Sequence, residues 1–172
     1  MTTDLEARLR RLEDLEAIRT LKARYLFSCD QKDPEGVRQC FAPGEVEIDF
    51  GRIGVFHHRD ALVKVFQELG CHEHIVEMHH GVNPQIELLD THNAEGIWGL
   101  KYFLINTRDQ QMIQLGAYYE DRYRKIDGEW KIAKTRCVVT STLIMGLEEG
   151  LAKVLFAGRQ APVEVDDPGR QG

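Results

Sequence analysis

Four of the seven histidines, His72, His74, His79 and His80, fall within nine consecutive residues. Imidazole is the side chain best placed to exchange protons near neutral pH, and it is also a common metal ligand. On a strand, His72 and His74 would share a face. No cysteine or acidic ligand follows at a zinc-finger spacing, so the expectation is a site without metal. The polar stretch Gly70 to Glu73 follows a helix end and reads as a solvated loop. His57 and His58 sit beside a turn and are expected to be exposed. His79 and His80 differ from these, because adjacent residues on a strand face opposite ways and one of the two must enter the interior. An inward histidine becomes a base when a carboxylate fixes its tautomer. Asp30, at the end of the first helical segment, is the candidate partner, although spacing alone does not bring it to the histidine.

The elements that must position these residues are visible in the hydrophobic period. Leu5, Leu9, Leu12, Leu15, Ile18, Leu21 and Tyr25 recur at steps of three or four, which predicts one long amphipathic helix with the Tyr25 ring toward the core. Asp33-Pro34-Glu35 starts a short second helix, with Asp33 as cap and Pro34 at the first position. Val46, Ile48 and Phe50 alternate with acidic residues as on a half-buried strand, and Val55-Phe56 forms a short partner. Ala61, Leu62, Val65, Phe66 and Leu69 predict another helix, stopped at Gly70. Strands follow at about Val76–Leu89, Ile97–Ile105, Ile113–Ile126 and Glu129–Thr142. Asp127-Gly128 joins the last two as a hairpin. The segment Leu143 to Phe156 is apolar, with Leu147, Leu151 and Leu155 spaced as on a helix. Helices first and a long meander afterwards predict an α+β fold with helices on one face of a curved sheet.

The 172 residues fit one domain able to bury its own core. Residues 1–158 are expected to form it, and the polar stretch 159–172 to be a frayed tail. A formal charge of −6 and the absence of a basic stripe argue against a nucleic-acid partner. No apolar run approaches the length of a membrane span. The first residues alternate charge with leucine and lack the apolar core of a signal peptide, which predicts a cytoplasmic protein. Cys29, Cys40, Cys71 and Cys137 are scattered, without a Cys-x-x-Cys pair, and read as reduced, mostly buried thiols.

Several of these segments share a resemblance. Glu16-Ala17-Ile18-Arg19 with Leu21, Lys22, Tyr25 and Asp30 resembles the first helix of the SnoaL-like (polyketide-cyclase-like) branch of the nuclear-transport-factor-2-like superfamily. Met78-His79-His80-Gly81 with Asn83 resembles the strand on which that branch carries its histidine. Gly116-Ala117-Tyr118-Tyr119-x-Asp121-x-Tyr123 and Lys125-Ile126-Asp127-Gly128-x-Trp130 resemble its final hairpin. The likeness runs from about Leu12 to Ser141 and implies a cone-shaped half-barrel, a strongly curved mixed or antiparallel sheet packed on N-terminal helices. It points toward the bile-acid 7α-dehydratases, hexachlorocyclohexane dehydrochlorinases and scytalone dehydratases, which are lyases without cofactors. It implies His79 as base, Asp30 as its orienting carboxylate and Tyr25 as donor to an oxygen or leaving group. These lyases also place an arginine on the inward face of the last strand. Here that face carries Thr135, Cys137 and Val139, and Arg136 should point away unless a bulge re-aims it.

The resulting expectation is a cofactor-independent, dehydratase-like lyase or isomerase that abstracts a proton from a small, largely apolar molecule such as a sterol, terpenoid or polyketide. The alternative is a binding or scaffold protein of the same fold without chemistry. Trp98, Tyr102 and Tyr119 fall on strands, where aromatic residues are most often plain core, and they are left outside the candidate site. The apolar segment Leu143 to Phe156 and the resemblance together predict a homo-oligomer, a trimer in preference to a dimer.

Overall fold

The computed structural model describes residues 2–147 together with 152, 154, 157 and 158. Helix α1 (Thr2–Asp30) is followed by α2 (Pro34–Cys40), β1 (Glu45–Asp49), β2 (Val55–His58) and α3 (Arg59–Leu69). Four long strands complete the fold: β3 (Ile75–Leu88), β4 (Asn93–Asn106), β5 (Gln111–Ile126) and β6 (Glu129–Gly146). They form one open six-stranded sheet in the order β2-β1-β6-β5-β4-β3. Only β1 and β6 run parallel, and every other pair is antiparallel. The α+β fold expected from the pattern of elements is therefore present, in the form of the open cone that the resemblance implied, with the helices packed on a mixed sheet.

Helix α1 divides in two along its length. Ile18, Leu21, Tyr25, Leu26 and Cys29 are buried against the sheet, whereas Leu5, Leu9 and Leu12 are more than half exposed. The apolar stripe is continuous in sequence, but only its second half has a sheet to cover it. Asp14 marks the change, accepting from Lys125 Nζ at 2.6 Å and from Trp130 Nε1 at 2.8 Å on the last hairpin. That hairpin turns through Asp127 and Gly128, both at positive φ (50° and 84°), the conformation an Asp-Gly turn is chosen for.

Where α1 crosses β3 a leucine of the helix packs directly onto the strand backbone at Gly81. A Cβ on Gly81 would lie 2.7 Å from Leu26 Cδ1, so the glycine allows the helix to settle two residues beyond His79. In β3 the register shifts between Val82 and Gln85, with Asn83 at φ 51°. This bulge accommodates Pro84, which has no N–H to donate, on a strand at the edge of the sheet.

One expectation is corrected. The last strand, expected to end at Thr142, runs on to Gly146, with Leu143–Gly146 paired in register with Gln111–Gln114 of β5. The open backbone groups at the start of β5 need partners, and extending the ladder satisfies them at once. Leu151 and Leu155, with the proposed tail at 159–172, lie outside the described residues. No helix among those described is long and apolar enough to cross a membrane. Cys29 and Cys40 are buried, Cys71 and Cys137 half-buried, and all four are free thiols.

Candidate active site

The C-terminal end of α1 reaches the middle of β3. Asp30 is the last residue of the helix, and its carboxylate accepts from His79 Nδ1 at 2.6 Å and from the His79 backbone N–H at 3.1 and 3.2 Å. Both side chains are largely withdrawn from solvent, each 14 % exposed. A carboxylate can only accept, so this contact holds the proton on Nδ1 and leaves Nε2 as the free nitrogen of the ring. His80 is exposed, as alternation along the strand requires.

A second carboxylate stands beside the first pair. Glu77 shares the inward face of β3 with His79, two residues away, and accepts from Lys32 Nζ at 2.7 Å and from Tyr102 Oη at 2.8 Å. Tyr102 lies directly opposite His79 on β4, and its ring rests against the imidazole at 4.7 Å between centroids. The histidine is thus held by Asp30 and flanked by a tyrosine that Glu77 fixes in turn. Lys32 reaches Glu77 from the turn after α1, where it occupies the left-handed region at φ 57°. That conformation costs a non-glycine residue about 1–2 kcal/mol, which the ion pair offsets.

His79 lines a cavity of about 400 Å³. Its walls are mostly aliphatic and aromatic side chains, among them Phe50, Leu62, Val65, Phe66, Leu100 and Leu115. The polar groups that interrupt this lining are Glu77, His79, three tyrosines (Tyr25, Tyr102 and Tyr119) and the thiols of Cys29 and Cys137. Tyr25 is buried and packs edge-on against Phe41 at 5.4 Å between ring centroids. Burial pushes the phenols of Tyr25 and Tyr119 well above their ordinary range, so both remain hydrogen-bond donors. Burial likewise pushes the Cys29 thiol up, and Cys137 to about 11, which makes neither a ready nucleophile.

Of the three residues singled out from the sequence, Tyr25 and His79 line the cavity and Asp30 bonds the ring of His79. His72 and His74 stack on one another at 5.1 Å between ring centroids, and His72 Nε2 bonds the carbonyl of Glu68 at 2.8 Å. Arg136 points outward, with its guanidinium 3.2 Å from Glu120 and 3.6 Å from Asp49. β6 carries two bulges, at Ala133 between the pairs Arg122–Lys134 and Tyr123–Ile132 and at Thr140 between Gly116–Ser141 and Ala117–Val139, and neither turns Arg136 inward.

Four residues of this region lie outside the candidate set taken from the sequence: Lys22 and Glu77, which it did not consider for the site, and Tyr102 and Tyr119, which were set aside as core. Glu77 was within reach of strand alternation, since it must share a face with His79. Lys22 interrupts the buried stripe of Ile18, Leu21 and Tyr25, and a lysine inside an apolar stripe is itself a signal. Tyr102 and Tyr119 carried no mark that distinguishes a cavity wall from a packed core.

A SnoaL-like domain matches residues 10–136. Among solved structures, the hexachlorocyclohexane dehydrochlorinase LinA-type3 of Novosphingobium barchaimii LL02 is 20% identical, with a TM-score of 0.74 over 86% of this chain and 98% of its own. A protein of Novosphingobium aromaticivorans named for scytalone dehydratase is 21% identical, with a TM-score of 0.72 over 87% and 93%. A Mycobacterium tuberculosis protein of unknown function, Rv3472, is 23% identical, with a TM-score of 0.63 over 75% and 77%. At these identities the three structures share the fold with this chain. With the domain match spanning most of its length, the chain belongs to the SnoaL-like domain family.

Proposed function

We propose that the protein is a cofactor-independent lyase or isomerase that removes a proton from carbon on a small, largely apolar, sterol-, terpenoid- or polyketide-like molecule. The observation that carries this reading is the 2.6 Å contact between Asp30 and His79 Nδ1 on the wall of an apolar cavity. With Nδ1 protonated and bonded, Nε2 acts as the base, and the carboxylate stabilises the imidazolium that results. Tyr25 donates to the oxygen or leaving group. A cavity of about 400 Å³ is within the range of small-molecule pockets, and its lining suits a ring system with few polar substituents. Enzymes named for dehydration and dehydrochlorination share this fold and support a lyase in general terms.

A second reading, a binding protein of the same ligand class, is favoured by the absence of a cation among the described residues that line the cavity. One experiment separates the two. Sterol, terpenoid and polyketide ketones and alcohols are incubated with the protein in D₂O and followed by mass spectrometry. The lyase or isomerase reading expects deuterium uptake at carbon beside a carbonyl, or loss of water, abolished in His79→Ala. A compound that binds the cavity but exchanges equally with wild type and His79→Ala would establish the binding protein instead.

A further inference from the structure

Immediately behind the cavity wall lies an ammonium group. Lys22 is 0 % exposed, and its Nζ stands 2.7 Å from Asp121 Oδ2, 3.6 Å from the centroid of the Tyr119 ring and 5.3 Å from that of Tyr25. Both rings belong to residues that line the cavity. The arrangement follows from two periodicities. Lys22 and Tyr25 are one turn apart on α1, and Tyr119 and Asp121 alternate on one face of β5. Asp121 does not serve the lysine alone. It also accepts from Tyr123 Oη at 2.7 Å and from Thr135 Oγ1 at 2.6 Å, and Trp98 Nε1 donates to Tyr123 at 2.9 Å. With its charge divided among three donors, the carboxylate leaves the ammonium incompletely neutralised on the side that meets the rings.

A buried ion pair is a poor stabiliser, because desolvation of both charges offsets their attraction and apolar side chains hold a helix to a sheet as well. What an aliphatic residue could not supply is positive charge against the face of a phenol. An ammonium so placed draws density from the ring and makes its O–H a stronger donor. Fixed donors of this kind have their largest effect in a water-poor site, where charge develops during reaction.

We propose that Tyr119, polarised by Lys22, donates a hydrogen bond to the substrate oxygen that gathers negative charge, and that the substrate is therefore an uncharged apolar molecule bearing a carbonyl or hydroxyl oxygen. This rests on the proton-abstraction reading of His79. For a ketone, His79 Nε2 takes the proton from carbon, the C–H electron pair becomes the new C=C bond, and the carbonyl π pair moves onto oxygen. The proton resides on the imidazole and the charge on the enolate oxygen that Tyr119 binds. No bond to Tyr119 or Lys22 is made or broken. Lys22 is a positioning residue that acts through Tyr119. A substrate that carries a carboxylate or phosphate besides that oxygen is disfavoured, since no lysine or arginine is among the described residues that line the cavity and Lys32 is already bonded to Glu77.

The test uses 4-nitrophenol, whose phenol and phenolate forms absorb at different wavelengths, at the pH where half is ionised in water. The bound probe is expected to be predominantly phenolate. Tyr119→Phe and the double variant Lys22→Met with Asp121→Asn should each reduce that preference by about tenfold or more. The double variant leaves no lone buried charge, and Tyr119→Phe stands as an independent measurement where it does not fold. His79→Asn should retain the preference. A wild-type protein that binds the neutral phenol equally well, or binds neither form, overturns the proposal and leaves the His79 reading intact. Loss of the preference in His79→Asn alone also overturns it, by assigning the charge to the imidazole. A proton-abstraction reading that fails by deuterium uptake leaves the phenolate preference in place, so the two failures are distinguishable.

Discussion

Asp30 holds His79 at two points, accepting from the ring Nδ1 at 2.6 Å and from the backbone N–H of the same residue at 3.1 Å. The backbone contact fixes where the strand sits against the end of α1, and the ring contact fixes which way the imidazole turns. On this geometry Asp30→Asn keeps a group able to accept at the backbone N–H but no longer favours the Nδ1–H tautomer. On a confirmed substrate we expect kcat to fall by about 10²–10⁴-fold, with residual turnover above that of His79→Ala. Nitrogen-15 NMR of the His79 ring should show the tautomers mixing. Full activity with an unchanged ring spectrum would remove Asp30 from the orienting role.

The Lys32–Glu77 contact predicts an unusual order of stabilities. Lys32→Ala loses the ion pair and keeps the left-handed backbone, whereas Lys32→Gly loses the same pair but adopts φ 57° without steric cost. Chemical denaturation should find the glycine variant more stable than the alanine variant by about 1 kcal/mol. Equal stabilities would mean that the turn relaxes once the lysine is gone.

Removing Lys22 alone should be far more damaging than removing it together with its partner. Lys22→Met strands the Asp121 carboxylate in the core and is expected to cost about 3–5 kcal/mol. Adding Asp121→Asn should recover most of that loss, because the amide oxygen still accepts from one of the two hydroxyls, Tyr123 or Thr135, and its NH2 donates to the other once that hydroxyl turns. Thermal melts of both variants decide the point, and additive losses would contradict it.

Asp14 predicts how the protein responds to acid. Partial burial raises its pKa, but hydrogen bonds from Lys125 and Trp130 and the charge of Lys125 outweigh it, so the carboxyl lies below its ordinary value of 3.8. A carboxylate depressed in the folded state contributes stability that is complete above its unfolded pKa and is lost as pH falls through the folded one. Melting temperature should therefore drop below about pH 4, and Asp14→Asn should flatten that limb while lowering stability at neutral pH. An acid limb of the same steepness in the variant would place the sensitive carboxyl elsewhere.

Leu143 and Ile144 are more than half exposed at the end of β6, next to Val139, and Leu5, Leu9 and Leu12 are exposed on the free half of α1. Burying side chains of this size is worth about 1.5–3 kcal/mol each. We expect a homo-oligomer, a trimer in preference to a dimer, which Leu143→Glu with Ile144→Glu should weaken. Sedimentation equilibrium at micromolar concentration that returned only the monomer mass of 19.8 kDa would discard this expectation.

Much of the architecture was determined by the sequence itself, because it is written in short-range terms. The Asp-Gly hairpin, the Asp33-Pro34 helix start, the four long strands and the outward aim of Arg136 all follow from local backbone preference or from strand alternation. Strand alternation determines only that one of His79 and His80 faces inward, and the family likeness, not local preference, points to His79. Other features depend on what lies across the fold. The first half of the α1 stripe stays in water because no strand extends beneath it, and Leu143 to Gly146 join β6 because β5 offers unpaired backbone groups there. The contact of Asp30 with His79 spans 49 residues and that of Lys22 with Asp121 spans 99. No local propensity encodes such separations. They exist because packing α1 on the curved sheet sets one end of the helix at β3 and its middle at β5, and only that docking decides which polar side chains meet inside an apolar wall.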